Sequence, residues 1–281
     1  MIIENVGIFA KPGYRSIDIT VKSILDYFQS KNVNVFLDDK TAKRLGIKYQ
    51  ITPQVLEILD LIITVGGDGT VLYAARSIRD KIIPILTINM GSMGFITEIF
   101  PEDFKKAIEH ILNNNFILEE RSRLDIQVNN LQIPYALNEL LIKTCPESKL
   151  IPIKIFLDGV FLEKFKADGV MIATPTGSTA HALSAGGPIL FPSIKGFLIL
   201  PLNPIELEMR PIVIDDNVNI LLDIETPNTD IYLIVDGQFV FKIPKERKSA
   251  EIIVRKSKWP IQIIRFDRKH FIKKISEKFG K

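Results

Sequence analysis

Hydrophobic positions along the first 116 residues follow two alternating rhythms. Short apolar runs rich in β-branched residues at 6–10, 33–37, 61–65 and 82–88 read as strands. Between them the spacing widens. Val21, Ile24, Leu25 and Phe28 fall at i, i+3, i+4 and i+7, and Phe104, Ala107, Ile108, Ile111 and Leu112 form a second helical stripe. Val71, Leu72, Ala74 and Ala75 predict a further helix directly after the third strand. Strand alternating with helix predicts parallel pairing through right-handed crossovers, hence a Rossmann-like α/β domain over 1–116.

Beyond 116 the rhythm changes to closely spaced alternating strands with hairpin chemistry between them. Asp158-Gly159 separates the runs 154–157 and 160–163, and Asp236-Gly237 separates 232–235 from 238–241. Asp and Gly tolerate the positive φ of a tight hairpin turn, so 117–260 is expected to be a mostly antiparallel β domain. A strand and an amphipathic helix carrying Phe271, Ile272, Ile275 and Phe279 close the chain, and 261–281 is expected to pack back on the first domain.

Composition narrows the function classes without choosing one. A 46% hydrophobic and 25% charged chain of 281 residues has material for two packed cores, which argues against disorder. A net charge of +3 argues little for nucleic acid, whose binding would need Lys and Arg clustered on one face, so nucleic acid is not an expected partner. Cys145 is alone, the three histidines are scattered, and no Cys/His spacing suggests a metal site. His110 and His270 are expected on exposed helix faces, as are the Lys and Arg residues of the last helix. The N-terminus lacks signal-peptide character and no apolar run is long enough for a membrane helix, so a cytoplasmic location is expected.

Two segments carry chemistry. Gly66-Gly67-Asp68-Gly69-Thr70 leaves the third strand and enters the predicted helix. Ligands of open parallel sheets bind beyond the carboxyl ends of the strands, and glycines there let backbone amides approach a phosphate. A carboxylate among such glycines would repel a bare phosphate. Asp68 therefore either meets the Mg²⁺ that accompanies a nucleoside triphosphate or accepts a proton from an attacking hydroxyl. The plain alternative is a helix cap on a tight turn. The second segment, 166–188, runs from a strand into Thr174-Pro175-Thr176-Gly177-Ser178-Thr179 and then a short helix of small residues ending at Gly186-Gly187-Pro188. Small side chains let a flat ligand lie close to backbone, and hydroxyls supply hydrogen bonds. Each hydroxyl taken singly reads equally well as a cap.

The order Gly-Gly-Asp-Gly-Thr, Asn138-Glu139, Asp168-Gly169, the 174–180 run, Leu183-Ser184-Ala185-Gly186-Gly187-Pro188 and Asp236-Gly237-Gln238 resembles the NAD kinases over nearly the whole chain. The glycine motif alone is shared with diacylglycerol and sphingosine kinases; the 174–188 segment is far more specific. The resemblance implies Mg²⁺-dependent transfer of the ATP γ-phosphoryl group to the 2′-hydroxyl of the adenosine ribose of NAD, giving NADP. It implies Asp68 as proton acceptor with Gly69 beside it on the nucleotide, and Asn138 and Glu139 on adenine and ribose. Asp168 and Lys166 match groups near the nicotinamide end, and Thr179, Ala180, His181, Ala182, Leu183 and Ser184 match the lining of the dinucleotide. Gln238 matches a further contact, and Lys149 falls where the family often has a basic one. NAD and ATP (or polyphosphate) as partners, Mg²⁺ or another divalent cation brought with ATP, and a homodimer or homotetramer follow from the same resemblance.

Three positions depart from the family pattern. His181 stands in place of the usual Tyr, Tyr73 in place of Arg, and Ile205 in place of His. Two other readings compete. A lipid kinase would need a greasy entry face, which the polar 176–179 run does not suit. A non-catalytic dinucleotide sensor would have no use for Asp68.

Overall fold

In a computed structural model the described residues are 2–91, 94–144, 150–206, 208–226 and 229–280. Lys149 and Cys145 lie outside them. In chain order the elements are β1 (Asn5–Ala10), α1 (Arg15–Gln29), β2 (Asn34–Leu37), α2 (Asp39–Leu45), α3 (Pro53–Leu56), β3 (Leu61–Gly66), α4 (Asp68–Ser77), β4 (Pro84–Asn89), α5 (Phe104–Leu112) and β5 (Ile117–Arg121). There follow β6 (Leu124–Val128), β7 (Leu131–Ala136), β8 (Glu139–Thr144), β9 (Ile151–Leu157), β10 (Val160–Ala167), β11 (Gly169–Ala173), α6 (His181–Ser184), β12 (Gly196–Leu202) and β13 (Ile212–Asp215). The chain continues through β14 (Ile220–Glu225), β15 (Ile231–Val235), β16 (Phe239–Ile243), β17 (Ser249–Lys256), β18 (Ile261–Arg265) and α7 (His270–Phe279). Two compact units result, one of residues 1–120 with 261–281 and one of residues 121–260.

The first unit is built on a sheet of order β2-β1-β3-β4-β18-β5, in which β1 pairs with β2 and β3, and β4 with β3 and β18, all in parallel. Every residue of β3 is buried, as its unbroken apolar run requires of a central strand. The predicted stripe of α1 is the face it buries: Val21, Ile24, Leu25 and Phe28 pack into one core with Val6, Ile8, Ile63, Val65 and Ile88. Asp38 caps α2, its Oδ1 accepting from the amides of Lys40 and Thr41, and Gly46 ends that helix at φ 68°.

The second unit holds two six-stranded sheets, β10-β9-β14-β17-β6-β7 and β13-β12-β11-β8-β15-β16, whose pairings are antiparallel. Both expected turns form with positive φ at each central residue: 47° and 81° at Asp158 and Gly159, 51° and 64° at Asp236 and Gly237. Strand β11 is buried on both faces. Val170 and Ile172 join the core between the sheets, whereas Met171 and Ala173 face a smaller cluster with Leu141, Ala182, Leu190 and Leu198. Alternate side chains of one strand thus anchor the sandwich and the 177–190 segment above it.

Two surface expectations fail in α7. His270 and Lys274 are buried, at 8% and 4% exposure, and Lys274 pairs with Glu277 at 2.9 Å. The helix packs beside the 94–97 loop, where Phe271 and Phe279 meet Phe95, so positions that look polar in isolation are covered.

Candidate functional sites

The first site begins where β3 stops. Gly66 must be glycine, because a Cβ there would overlap the Thr70 hydroxyl and press on Lys11. Gly67 is the N-cap of α4 at φ −109°, and Asp68 is the first helical residue. A Cβ at Gly67 or at Gly69 would meet no atom within 4 Å. Neither has positive φ, so neither packing nor backbone conformation within the chain asks for glycine at these two places. Open glycines at a strand end and helix start suit the close approach of a phosphate.

The Asp68 carboxylate is held by a loop that sequence reasoning did not connect to it. Oδ1 accepts from the amides of Ile96 (3.2 Å) and Thr97 (3.1 Å) and from the Thr97 hydroxyl (3.2 Å), and Oδ2 accepts from the amide of Phe95 (2.8 Å). Gly94 makes this wrap possible, since a Cβ on it would overlap that same carboxylate. The loop is tied from its other side by buried Arg265, which donates to the Ile96 carbonyl (2.6 Å) and to Glu98 and Glu119. Burial pushes the Glu98 carboxyl up despite the Arg265 guanidinium that pulls it down. Asp68 thus arrives oriented, with Oδ1 accepting three bonds and Oδ2 one.

Tyr73 lies one turn further along α4, edge-on to Phe9, with Lys40 and Arg76 over its ring at 5.6 and 5.8 Å. Burial first, and then the nearby Asp38, push its hydroxyl up. Tyr73 is thus an aromatic ring gathering two cations.

The second site is assembled around the start of β8. Asn138 and Glu139 are buried, at 8% and 5% exposure. Their backbone is fixed on two sides. Thr174 donates its hydroxyl to the Leu137 carbonyl (2.6 Å) and its amide to that of Asn138 (2.9 Å), and Gly177 sits so close that a Cβ would overlap the Asn138 carbonyl. On the other side Asp236 accepts the amides of Leu137 (2.9 Å), Asn138 (2.7 Å) and Glu139 (3.1 Å). The side chains are not so provided for: Asn138 Oδ1 and Glu139 Oε2 are buried acceptors without a hydrogen-bond partner. Burial, and then the charge of Asp236, push the Glu139 carboxyl up to about 8. Two neighbouring orphaned acceptors ask for a ligand carrying donors.

Other predicted residues divide between support and surface. Thr174 and Ser178 use their hydroxyls inside the turn, Ser178 accepting the Leu190 amide at 2.9 Å. Ala182 is fully buried in the small cluster under β11, so its methyl faces the core. Thr179, Ala180 and Leu183 are half-buried, and His181 and Ser184 are exposed. Lys166, Asp168 and Gln238 are exposed; Asp168 accepts from the Asn203 amide at 2.8 Å, and the Lys166 backbone bonds Glu206 and Ile205. Among the described residues no three His, Cys, Asp or Glu side chains converge as a metal site, and no helix is long and apolar enough to cross a membrane.

Residues 6–116 match the model of the ATP-NAD kinase N-terminal domain, and residues 137–266 that of the ATP-NAD kinase C-terminal domain. The chain is 35% identical over 280 residues to the NAD kinase of Methanosarcina barkeri, covering 99% of both. The chain belongs to the ATP-NAD kinase family. It is therefore a phosphotransferase. The NAD kinase of Thermococcus sibiricus is 37% identical over 263 residues, 91% of this chain and 93% of that one. Among solved structures, yeast NADH kinase complexed with NADH superposes with a TM-score of 0.89 at 25% identity, covering 99% of this chain and 88% of that chain. An NAD kinase from Archaeoglobus fulgidus in complex with ATP gives 0.76 at 26% identity, covering 98% and 97%. The two family models fall one on the glycine-rich strand end and the other on the strand carrying Asn138 and Glu139.

Proposed function

We propose that this enzyme transfers the γ-phosphoryl group of ATP to the 2′-hydroxyl of the adenosine ribose of NAD, giving NADP. The observation that carries the reading is the pair of buried, unpartnered acceptors, Asn138 Oδ1 and Glu139 Oε2. Ribose hydroxyls and the adenine amine are donors that would satisfy them, whereas an acyl chain would leave both unpaired. Phosphates are acceptors, and suit the open glycines and first amides of α4.

In this mechanism the 2′-oxygen attacks the γ-phosphorus, the bond to the leaving ADP oxygen breaks, and the hydroxyl proton passes to Asp68. Its Oδ2, with a single internal donor, has capacity for one more partner. That capacity also fits a divalent cation carried in with ATP, because Mg²⁺ is commonly held by one or two carboxylates together with substrate phosphates. Such an ion would neutralise charge on the phosphates. Lys166, Asp168 and Gln238 take the nicotinamide side in this reading, with Thr179 to Ser184 along the dinucleotide. The cytoplasmic location and the homo-oligomer rest on the family relationship.

The test is a direct assay: purified protein with Mg²⁺, NAD or NADH, and ATP or polyphosphate, the product scored by an NADP-specific dehydrogenase. NADP formation from NAD and ATP is expected. Absence of product with every pair of substrates would overturn the proposal.

A further inference from the structure

The tip of the β15–β16 hairpin carries an aspartate that none of the assigned roles uses. Asp236 has φ 51°, is 8% exposed, and directs its carboxylate away from its own turn toward the chain entering β8. There Oδ2 accepts the Leu137 amide and Oδ1 those of Asn138 and Glu139, while the Asp236 amide donates to the Glu139 carbonyl at 3.0 Å. Four hydrogen bonds thus join one hairpin residue to three consecutive residues, two of which present the orphaned acceptors.

The register explains why such a latch is needed. Ladder pairing of β8 with β15 ends at Leu140 opposite Val235, and that of β8 with β11 ends at Glu139 opposite Ala173. Leu137 and Asn138 precede the strand, so regular sheet bonding does not fix them. The Thr174 turn supplies one anchor and Asp236 the other.

We propose that Asp236 is the positioning residue of the dinucleotide site, its carboxylate fixing the backbone of 137–139 so that Asn138 and Glu139 present their open oxygens together. This rests on the reading that the pair holds NAD. Asp236 acts through these neighbours and is not assigned a contact with substrate.

Its second effect is electrostatic. The Glu139 carboxyl is displaced upward by burial and by the Asp236 charge. Ala173 of β11 is the ladder partner of Glu139, and in the following turn Thr174 and Gly177 meet Leu137 and Asn138 while the Arg121 guanidinium donates to the Thr176 hydroxyl at 3.2 Å. On its own strand the nearest charged residue is Lys143, four positions away. The displacement favours the protonated carboxyl of Glu139 in the folded state. The folded state keeps that proton to about pH 8, whereas an unfolded glutamic acid loses it near 4.5. The associated stability is full below 4.5 and is lost as pH rises toward about 8.

The experiment compares wild type, Asp236→Asn, Glu139→Ala, Glu139→Gln and the Asp236→Asn/Glu139→Gln double variant. An asparagine keeps one acceptor oxygen but turns an NH₂ toward a backbone amide. KM for NAD should rise by roughly 10-fold in Asp236→Asn, and by roughly 10- to 150-fold in Glu139→Ala, with KM for ATP and kcat moving much less. The Tm difference between each aspartate background and its Glu139→Gln partner, followed across pH, isolates the Glu139 titration; its upper edge should shift to lower pH when Asp236 is neutral. A merely structural hairpin residue would not move that edge. Wild-type KM for NAD and an unmoved edge in Asp236→Asn overturn the proposal while leaving the NAD reading intact. Wild-type KM for NAD in Glu139→Ala removes the pair from the dinucleotide, and this proposal with it. Should Asp236→Asn fail to fold, Asp236→Glu, which keeps the charge but displaces the carboxylate by one methylene, still decides: a wild-type KM for NAD in that variant overturns the proposal.

Discussion

In the first unit a carboxylate at the end of a parallel strand, Asp68, gathers the consecutive amides of Phe95, Ile96 and Thr97; in the second a carboxylate at a hairpin tip, Asp236, gathers those of Leu137, Asn138 and Glu139. The wiring is alike and the consequence opposite. Around Asp68 the amides of the gathered loop turn to the carboxylate, which itself remains half-buried beside glycines with open space above them. Around Asp236 the carboxylate is buried, and the gathered segment carries the groups left open, Asn138 Oδ1 and Glu139 Oε2. The same device fixes a reactive group in one unit and the scaffold of a binding group in the other. The site of the first unit therefore suits an acceptor-rich phosphate with space and amides, and that of the second suits a donor-rich group with open acceptors.

The largest expected effect lies at Asp68. Removing a general base costs about 10²–10⁴-fold in kcat. Asp68→Asn does more than remove a base, however, because its amide must sit where Oδ2 or Oδ1 now accepts a backbone N–H. One loop amide would face another donor, at a cost of about 1–3 kcal/mol. The variant should lose both kcat and Tm, with NAD affinity little changed. Thr97→Ser keeps the hydroxyl and serves as the control for loop chemistry. A variant at 68 that loses Tm but retains most of its kcat would make Asp68 a loop anchor like Asp236, and the contrast between the two units would vanish.

Much of the architecture was readable because it depends on local chemistry. The unbroken apolar run of β3, the stripe of α1 and the two Asp-Gly turns encode their conformation within a few residues. Asp68 and the Asn138-Glu139 pair stood out through their motifs. What stayed hidden is non-local. Nothing near Gly94 announces that it must clear a carboxylate 26 positions earlier, and nothing near Asp236 points to amides almost a hundred positions back. The burial of His270 and Lys274 failed for the same reason, since the loop that covers α7 is distant in sequence. Gly177 could have been suspected from its place in an otherwise hydroxyl-rich turn, but its partner, the Asn138 carbonyl, could not.

Glycines sharpen the comparison with smaller effects. At Gly94 a methyl group would be driven into the Asp68 carboxylate, so Gly94→Ala should displace either the loop or the side chain. Overpacking of this kind typically costs about 1–3 kcal/mol, and kcat should fall with it because the displaced group is the proposed proton acceptor. Thermal unfolding and single-turnover rates on the same preparation check both. Unchanged kcat after a clear loss of Tm would show that the loop, and not Asp68, absorbs the strain.

The smallest effect is expected to have the opposite sign in stability. Gly69 is the second residue of α4, its φ is not positive, and an added Cβ would meet nothing within 4 Å. Alanine in a helix is favoured over glycine by roughly 0.5–1 kcal/mol, because it loses less backbone freedom on folding. Gly69→Ala should therefore raise Tm slightly. If the glycine is there so that a nucleotide phosphate can come close to the amides of the helix start, the same methyl group stands in the way of the ligand, and KM for ATP should rise although the free enzyme is more stable. Stability and function would then diverge at Gly69 and fall together at Gly94, two glycines on either side of the same carboxylate. A Gly69→Ala enzyme that gains Tm and keeps its KM for ATP and for NAD would place the phosphates elsewhere, and would leave the open space above α4 without a chemical purpose.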